Sequence, residues 1–230
     1  MKQLALDLAS QSLPTLDNFV AGRNVELLEN LRRLASGQAR ERFFHLWGRP
    51  GSGRSHLLKG VAAAAQRSGA AAACVACGVE PRLREGLDQM DCVLLDDVDR
   101  LDADGQIAAF DLYNALREKN GTLVASASAP PVQLKLREDL MTRLAWGLVY
   151  QVHALSDDDK ARALADHAAS RGWPLPREVS DYLLTRSRRD MPSLLATLDA
   201  LDRYSLETRR PVTVPLVREL LETRNTGARG

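Results

Sequence analysis

Among its 230 residues the chain has only three cysteines, 5% aromatic residues and a formal charge of +1. Each shortage removes a class of protein. Cys74, Cys77 and Cys92 are too few for a disulfide framework, and no fourth ligand completes a zinc set. Cys74 and Cys77 do form C-x-x-C, but Ala70–Cys77 reads as a buried strand. Residues three apart on a strand face opposite sides, so core packing is expected there rather than a shared metal or redox pair. The near-neutral charge argues against gripping duplex DNA through many phosphates. No apolar run reaches the roughly 18 residues of a membrane span. Met1–Leu8 also lacks the unbroken apolar stretch of a signal peptide. A cytoplasmic protein in a reducing compartment, with no membrane partner, is expected.

What the sequence does contain is concentrated in Gly48-Arg49-Pro50-Gly51-Ser52-Gly53-Arg54-Ser55-His56. This follows the apolar run Phe43–Trp47 and precedes the helical pattern Leu57–Val61. Strand, glycine-rich turn and helix form the context that the phosphate-loop pattern G-x-x-x-x-G-K-[ST] requires. Glycines at 48, 51 and 53 let backbone N–H groups curl against phosphate oxygens, and the following helix dipole adds to the anion site. Ser55 stands where a hydroxyl ligates Mg²⁺. Arg54 replaces the usual lysine. Its larger, forked guanidinium binds phosphate but differs from the compact ammonium that reaches the β- and γ-phosphates, so nucleotide binding with slow hydrolysis is expected. The alternative is a purely structural glycine turn.

Strands are predicted at Phe43–Trp47, Ala71–Cys77, Cys92–Leu95, Leu123–Ser126 and Leu148–Val152. Helices are predicted at Asn24–Ala35, Gly53–Arg67, Ala103–Lys119 and Asp139–Ala145. This alternation indicates a parallel sheet covered by helices on both faces. After His153 only helices are expected: one from the Ser156 cap to Ser170, then Arg177–Thr185, Met191–Leu206 with Asp190 as cap, and Val214–Glu222. The domains read as a tail over 1–12, an α/β nucleotide-binding domain over 13–154, a helical lid over 155–225 and a tail over 226–230.

Cys92-Val93-Leu94-Leu95-Asp96-Asp97 is an apolar strand ending in two carboxylates, about forty residues after the phosphate loop. Asp96 can hold Mg²⁺ and Asp97 can orient the attacking water. They can also be two solvated strand-end aspartates. Ser126 closes the next strand, where a polar group can sense the γ-phosphate. Arg143, in Asp139–Gly147, is either a surface or salt-bridged arginine or a finger reaching a neighbouring subunit's nucleotide.

Together these motifs resemble the AAA+ ATPases, and within them the bacterial replication initiators, over Leu13 to Glu222. The resemblance implies an AAA+ P-loop domain, with a parallel five-stranded sheet flanked by helices, followed by a small all-helical lid. Thr15–Gly22 is similar to the initiator segment that folds over adenine, which assigns Phe19 and Val20 to the nucleotide. Loop residues Gly48, Pro50, Gly51, Ser52, Gly53, Arg54, Ser55 and His56 join them. Asp139–Gly147 is similar to the arginine-finger box, with Arg143 at the finger position, and Phe110–Asn114 fits the helix after the Asp-Asp strand. The lid position that offers a sensor arginine is Pro192 here, with Arg188 and Arg189 nearby.

Three features depart from an initiator. No DNA-reading helix-turn-helix segment follows the lid, so no sequence-specific DNA binding is expected. Arg54 stands in the loop. Gln3-Leu4-Ala5-Leu6-Asp7-Leu8 resembles the peptide that bacterial replication proteins insert into the sliding clamp, with Gln3, Leu4, Leu6 and Leu8 as its contacts. These departures are similar to the clamp-associated regulators that inactivate the initiator DnaA. The resemblance implies DnaA and the sliding clamp (the β subunit of DNA polymerase III) as partners, with self-association left open. ADP or ATP with Mg²⁺ is the implied cofactor, and ADP the working form. The rival reading is an autonomous AAA+ ATPase such as a helicase or clamp loader, against which Arg54 counts.

Overall fold

The computed structural model describes residues 13–188 and 190–227, with the side chains of 224–227 left aside. The clamp-type peptide Gln3–Leu8 and Arg189 therefore lie outside the described residues. The chain divides into two compact units, one spanning Pro14–Ala154 and the other comprising, among the described residues, Leu13 and the segment from Leu155 onward.

The first unit holds α1 (Val25–Ala35), β1 (Phe43–Trp47), α2 (Arg54–Arg67), β2 (Ala72–Ala76), β3 (Cys92–Asp96), α3 (Ala103–Glu118), β4 (Thr122–Ala127), α4 (Glu138–Trp146) and β5 (Leu148–Gln151). The strands form one sheet in the order β2-β3-β4-β1-β5, all pairs parallel. The central strands are apolar on both faces because helices cover both. Leu46, Leu94 and Val124 pack with Leu31, Leu57 and Val61 of α1 and α2. On the other face Val93, Leu95 and Leu123 pack with Leu112 and Leu116 of α3 and with Leu140 and Leu144 of α4. The register pairs Trp47 with Ala127 and Leu95 with Ala125. The carboxyl ends of β1, β3 and β4 thus stand side by side, where ligands of open α/β sheets bind.

Two strand expectations change. Cys74 is exposed, whereas Cys77 and Cys92 are buried. The reason is that β2 is the edge strand, so its outer positions escape full cover. β5 stops at Gln151 and leaves Leu148 and Val149 partly open, 37% and 39% exposed, because it too borders the sheet. Short one-turn helices at Leu87–Gln89, Val98–Arg100 and Pro131–Gln133 carry no sequence period long enough to predict.

The second unit contains α5 (Asp157–Ser170), α6 (Arg177–Arg186), α7 (Met191–Thr208) and α8 (Val214–Gly227). Ser156 and Asp159 form a reciprocal capping box at the start of α5, and Asp190 accepts from the Ser193 amide at 2.9 Å to start α7. Leu164, Leu183, Leu194, Leu198 and Leu216 make its core. Among the described residues no helix is long and apolar enough to cross a membrane.

Candidate nucleotide site and arginine finger

The loop between β1 and α2 is shaped by close approach. A Cβ on Gly48 would stand 2.5 Å from the Val152 carbonyl, and one on Gly53 would meet the Phe19 ring at 2.7 Å. Gly51 and Gly53 have φ of +78° and +103°, a region side chains disfavour. Gly53 is the N-cap of α2, so the first amides of that helix face the loop without a side-chain cap. Phe19 therefore lies against the phosphate loop, and its ring sits 5.5 Å from that of His56. His56 is bound through Nε2 to the Thr15 carbonyl at 2.9 Å, and burial holds its imidazole below the ordinary range. It anchors the Thr15–Gly22 segment. Val20 is half-buried and Pro50, in the loop, is exposed.

Arg54 turns inward. Only 9% exposed, it places Nη2 3.0 Å from Oδ1 of Asp97. Its Nη1 and the Ser52 hydroxyl are buried without a hydrogen-bond partner. Two unpartnered polar groups beside a glycine cradle fit an incoming phosphate oxyanion. Asp97 adopts left-handed backbone angles, φ 55° and ψ 57°. That shape is held by Ser126, whose hydroxyl accepts from the Asp97 amide at 3.0 Å and donates to Asp96 Oδ1 at 2.5 Å. Ser126 is fully buried and holds the Asp96 carboxylate and the Asp97 backbone. Burial pushes the Asp97 carboxyl up; Arg54 pulls it down, while Asp96 and Asp99 push it up further. The upward influences win despite the ion pair. Ser55 is exposed on the first turn of α2. With Asp96 it offers oxygen donors of the kind that Mg²⁺ takes through a partial water shell, so the residues fit that ion.

Below this end of the sheet lies a polar floor that sequence reasoning missed. Asp99 accepts from the Ser128 hydroxyl at 2.5 Å, and its other oxygen is buried without a partner. His45, fully buried in β1, meets the Ala129 carbonyl at 3.2 Å through Nε2 and leaves Nδ1 without a partner. Burial holds its imidazole down at about 4, with opposing influences from Asp99 and Arg54. The signals were present: a third aspartate after Asp96-Asp97, and one histidine inside an otherwise apolar strand.

Arg143 is set differently. Its guanidinium carbon lies 4.0 Å from the Trp146 ring centroid and 5.2 Å from that of Phe110. Its Nε donates to Asn114 Oδ1 at 2.9 Å. Phe110 and Asn114 are one turn apart on α3 and so share a face. Among the described residues no carboxylate pairs with Arg143, which removes the salt-bridge alternative. It lines an open cavity of about 590 Å³ with Phe110, Arg137, Glu138, Asp139 and Thr142. Arg188 is exposed and paired with Asp190 at 3.4 Å, and Pro192 in the first turn of α7 carries no donor.

The parallel sheet, phosphate loop and strand-end carboxylates define the AAA+ class. Residues 70–151 match the family model for the bacterial DnaA ATPase domain, and residues 157–221 match that for the Hda lid domain. Together the two matches support an Hda-type AAA+ protein: a DnaA-like AAA+ domain followed by a region matching the Hda lid, the pairing of a replication-initiation regulator family. Among solved structures it resembles a DNA replication initiation factor at 20% identity and a TM-score of 0.68, covering 84% of this chain and 65% of that one. AMPPCP-bound DnaA from Aquifex aeolicus is 21% identical with a TM-score of 0.68, over 85% of this chain and 67% of that one. Domain III of the Thermotoga maritima replication initiation protein DnaA is 20% identical with a TM-score of 0.69, over 91% and 95%. At these identities the likeness is one of fold.

Proposed function

We propose that this protein is a nucleotide-bound regulator that meets the ATP-bound initiator DnaA and supplies Arg143 to the initiator's nucleotide, so that hydrolysis there ends initiation competence. The observation that carries this reading is the setting of Arg143. The cation lies against two aromatic rings and bonds a neutral amide, among the described residues it forms no ion pair, and it lines an open cavity. A cation so positioned and so unpaired is suited to a phosphoryl group brought by another molecule.

Its own pocket supports binding more than turnover. Gly48–Ser55 and Phe19 form the nucleotide cradle, with Ser55 and Asp96 as the Mg²⁺ donors. The ion supplies charge neutralisation between phosphates when bound. Arg54, which would compensate phosphate charge, is instead paired with Asp97, the group that would orient water. Each holds the other away from hydrolysis. Bound AMPPCP in the Aquifex aeolicus DnaA structure supports adenine nucleotide as the ligand class. The peptide Gln3–Leu8 tethers the protein to the DNA-loaded sliding clamp, which raises its local concentration near the initiator.

The test is hydrolysis of initiator-bound ATP on clamp-loaded DNA, with nucleotide content and intrinsic turnover measured on the same protein. Stimulation by the natural chain, lost in Arg143→Ala and reduced when Gln3 and Leu6 are both alanine, is the expected result. Rapid ATP turnover without any partner would instead establish an autonomous ATPase and overturn this reading.

A further inference from the structure

The opposite end of the sheet carries a second polar cavity, of about 370 Å³, lined by Arg40, Glu41, Arg42, Phe43, Tyr113, Arg117, Asn120 and Trp146. It opens at the amino end of β1, where Phe43 begins the strand, and beside the carboxyl ends of α3 and α4. The phosphate loop leaves the other end of β1, so the two sites are separated by that strand, roughly 13–17 Å. Three guanidiniums converge here. The single acid in the lining, Glu41, is turned onto the backbone, accepting from the amides of Arg42 and Phe43 at 2.8 and 2.9 Å. Among the described residues none of Arg40, Arg42 and Arg117 forms an ion pair. Arg117 lies 4.9 Å from the centroid of the Trp146 ring, which with Tyr113 forms one wall.

Like charges gathered in one cavity repel, and among the described residues no ion pair offsets them. Guanidinium forks match tetrahedral oxyanions, which can accept from several donors at once. A cavity of this size falls at the low end of the range for small-molecule sites, about 300–1,000 Å³. We infer that the cavity formed by Arg40, Arg42 and Arg117 is a phosphate-binding site, separate from the nucleotide loop. The phosphate belongs either to a free phosphorylated compound or to a nucleic-acid backbone, and both present the same chemistry. This inference is independent of the role given to Arg143.

The full chain contains three tryptophans. Trp146 borders this cavity and also touches Arg143, so its response is assigned here only where the Arg40 and Arg42 substitutions remove it; Trp47, at the end of β1 before the phosphate loop, reports the other site. The indole N–H signals are followed by NMR during titration with inorganic pyrophosphate, and separately with a short oligothymidylate, at matched ionic strength. The Trp146 signal is expected to move with at least one probe. Arg40→Gln with Arg42→Gln should weaken that response about tenfold or more while the Trp47 response persists. Tighter response to pyrophosphate assigns a free ligand, and tighter response to the oligonucleotide, with a steep salt dependence, assigns the backbone. Arg117→Gln is a second variant, accepted only where its melting temperature is unchanged. A Trp146 signal unmoved by both probes, or moved equally by sodium chloride or in the double variant, overturns the inference.

Discussion

Arg54 and Arg143 belong to the same AAA+ unit and both concern phosphate, yet their surroundings are opposite. Arg54 is 10% exposed along its side chain and faces a carboxylate at 3.0 Å. Arg143 is half-buried, faces two aromatic rings and bonds only a neutral amide. A carboxylate cancels a cation's field, whereas ring faces orient it and leave its charge available. The difference teaches where each charge can act. Arg54 is directed inward and neutralised, whereas Arg143 keeps its charge beside an open cavity, as the proposed role toward a partner requires.

The largest effect expected from breaking that contrast is at Arg143. Arg143→Ala should reduce stimulation of initiator ATP hydrolysis by about 10³–10⁵, the span an arginine finger supplies, while stability falls by only about 1–2 kcal/mol from the lost ring and amide contacts and the protein stays folded. Arg143→Lys should recover little, since an ammonium lacks the fork. Stimulation assays and thermal unfolding on the same samples check this, and full stimulation by a stable alanine variant sinks the proposed mechanism.

The floor beneath Arg54 gives the next effect. Burial holds His45 at about 4 instead of its ordinary 6.5, so between those values the unfolded chain binds the proton and the folded chain does not. Stability should therefore fall as pH drops through 6.5 and level off below about 4, by about 3 kcal/mol from this one group. Urea unfolding across that range checks it. His45→Leu should flatten the slope. An unchanged slope would show that the imidazole is protonated in the fold.

Smaller still is the inward ion pair. Asp97→Asn leaves Arg54 nearly buried without its counter-charge. Because Asp97 is 43% exposed and water screens the pair, the expected loss is about 1–2 kcal/mol, below that of a fully buried pair. Adding Arg54→Met should recover most of it, and a double-mutant cycle measures the coupling. The smallest effect sharpens the other side of the comparison. Trp146→Leu removes a ring worth about 0.5–1 kcal/mol to Arg143, so stimulation should fall only a few-fold with folding intact.

Much of this was legible in the residues. β1 was predicted at its observed bounds, and the phosphate loop stood out because glycine spacing has a local physical cause. The inward turn of Arg54 was not legible, since it depends on Asp97, 43 positions away by residue number, being held in left-handed geometry by Ser126 on another strand. Ser126 could be read as a polar strand end able to sense a γ-phosphate, but its bonds to Asp96 and to the Asp97 amide depend on a neighbouring strand and were not legible. The exposure of Cys74 likewise depends on strand order, which local pattern does not encode. Arg143 could be placed on a helix, but the aromatic pair around it arises from α3 and α4 packing together.

Gly147 ends the helix that carries Arg143, and a Cβ there would come within 2.1 Å of the Phe43 carbonyl. The helix terminus therefore rests backbone to backbone on the central sheet. In mechanical terms this is a datum surface: the height of Arg143 above the molecule is referenced to the central sheet. A single methyl at 147 would act as a shim. It would raise the Trp146 end of α4 and shift Arg143 relative to anything docked against it, without touching a residue that meets the partner.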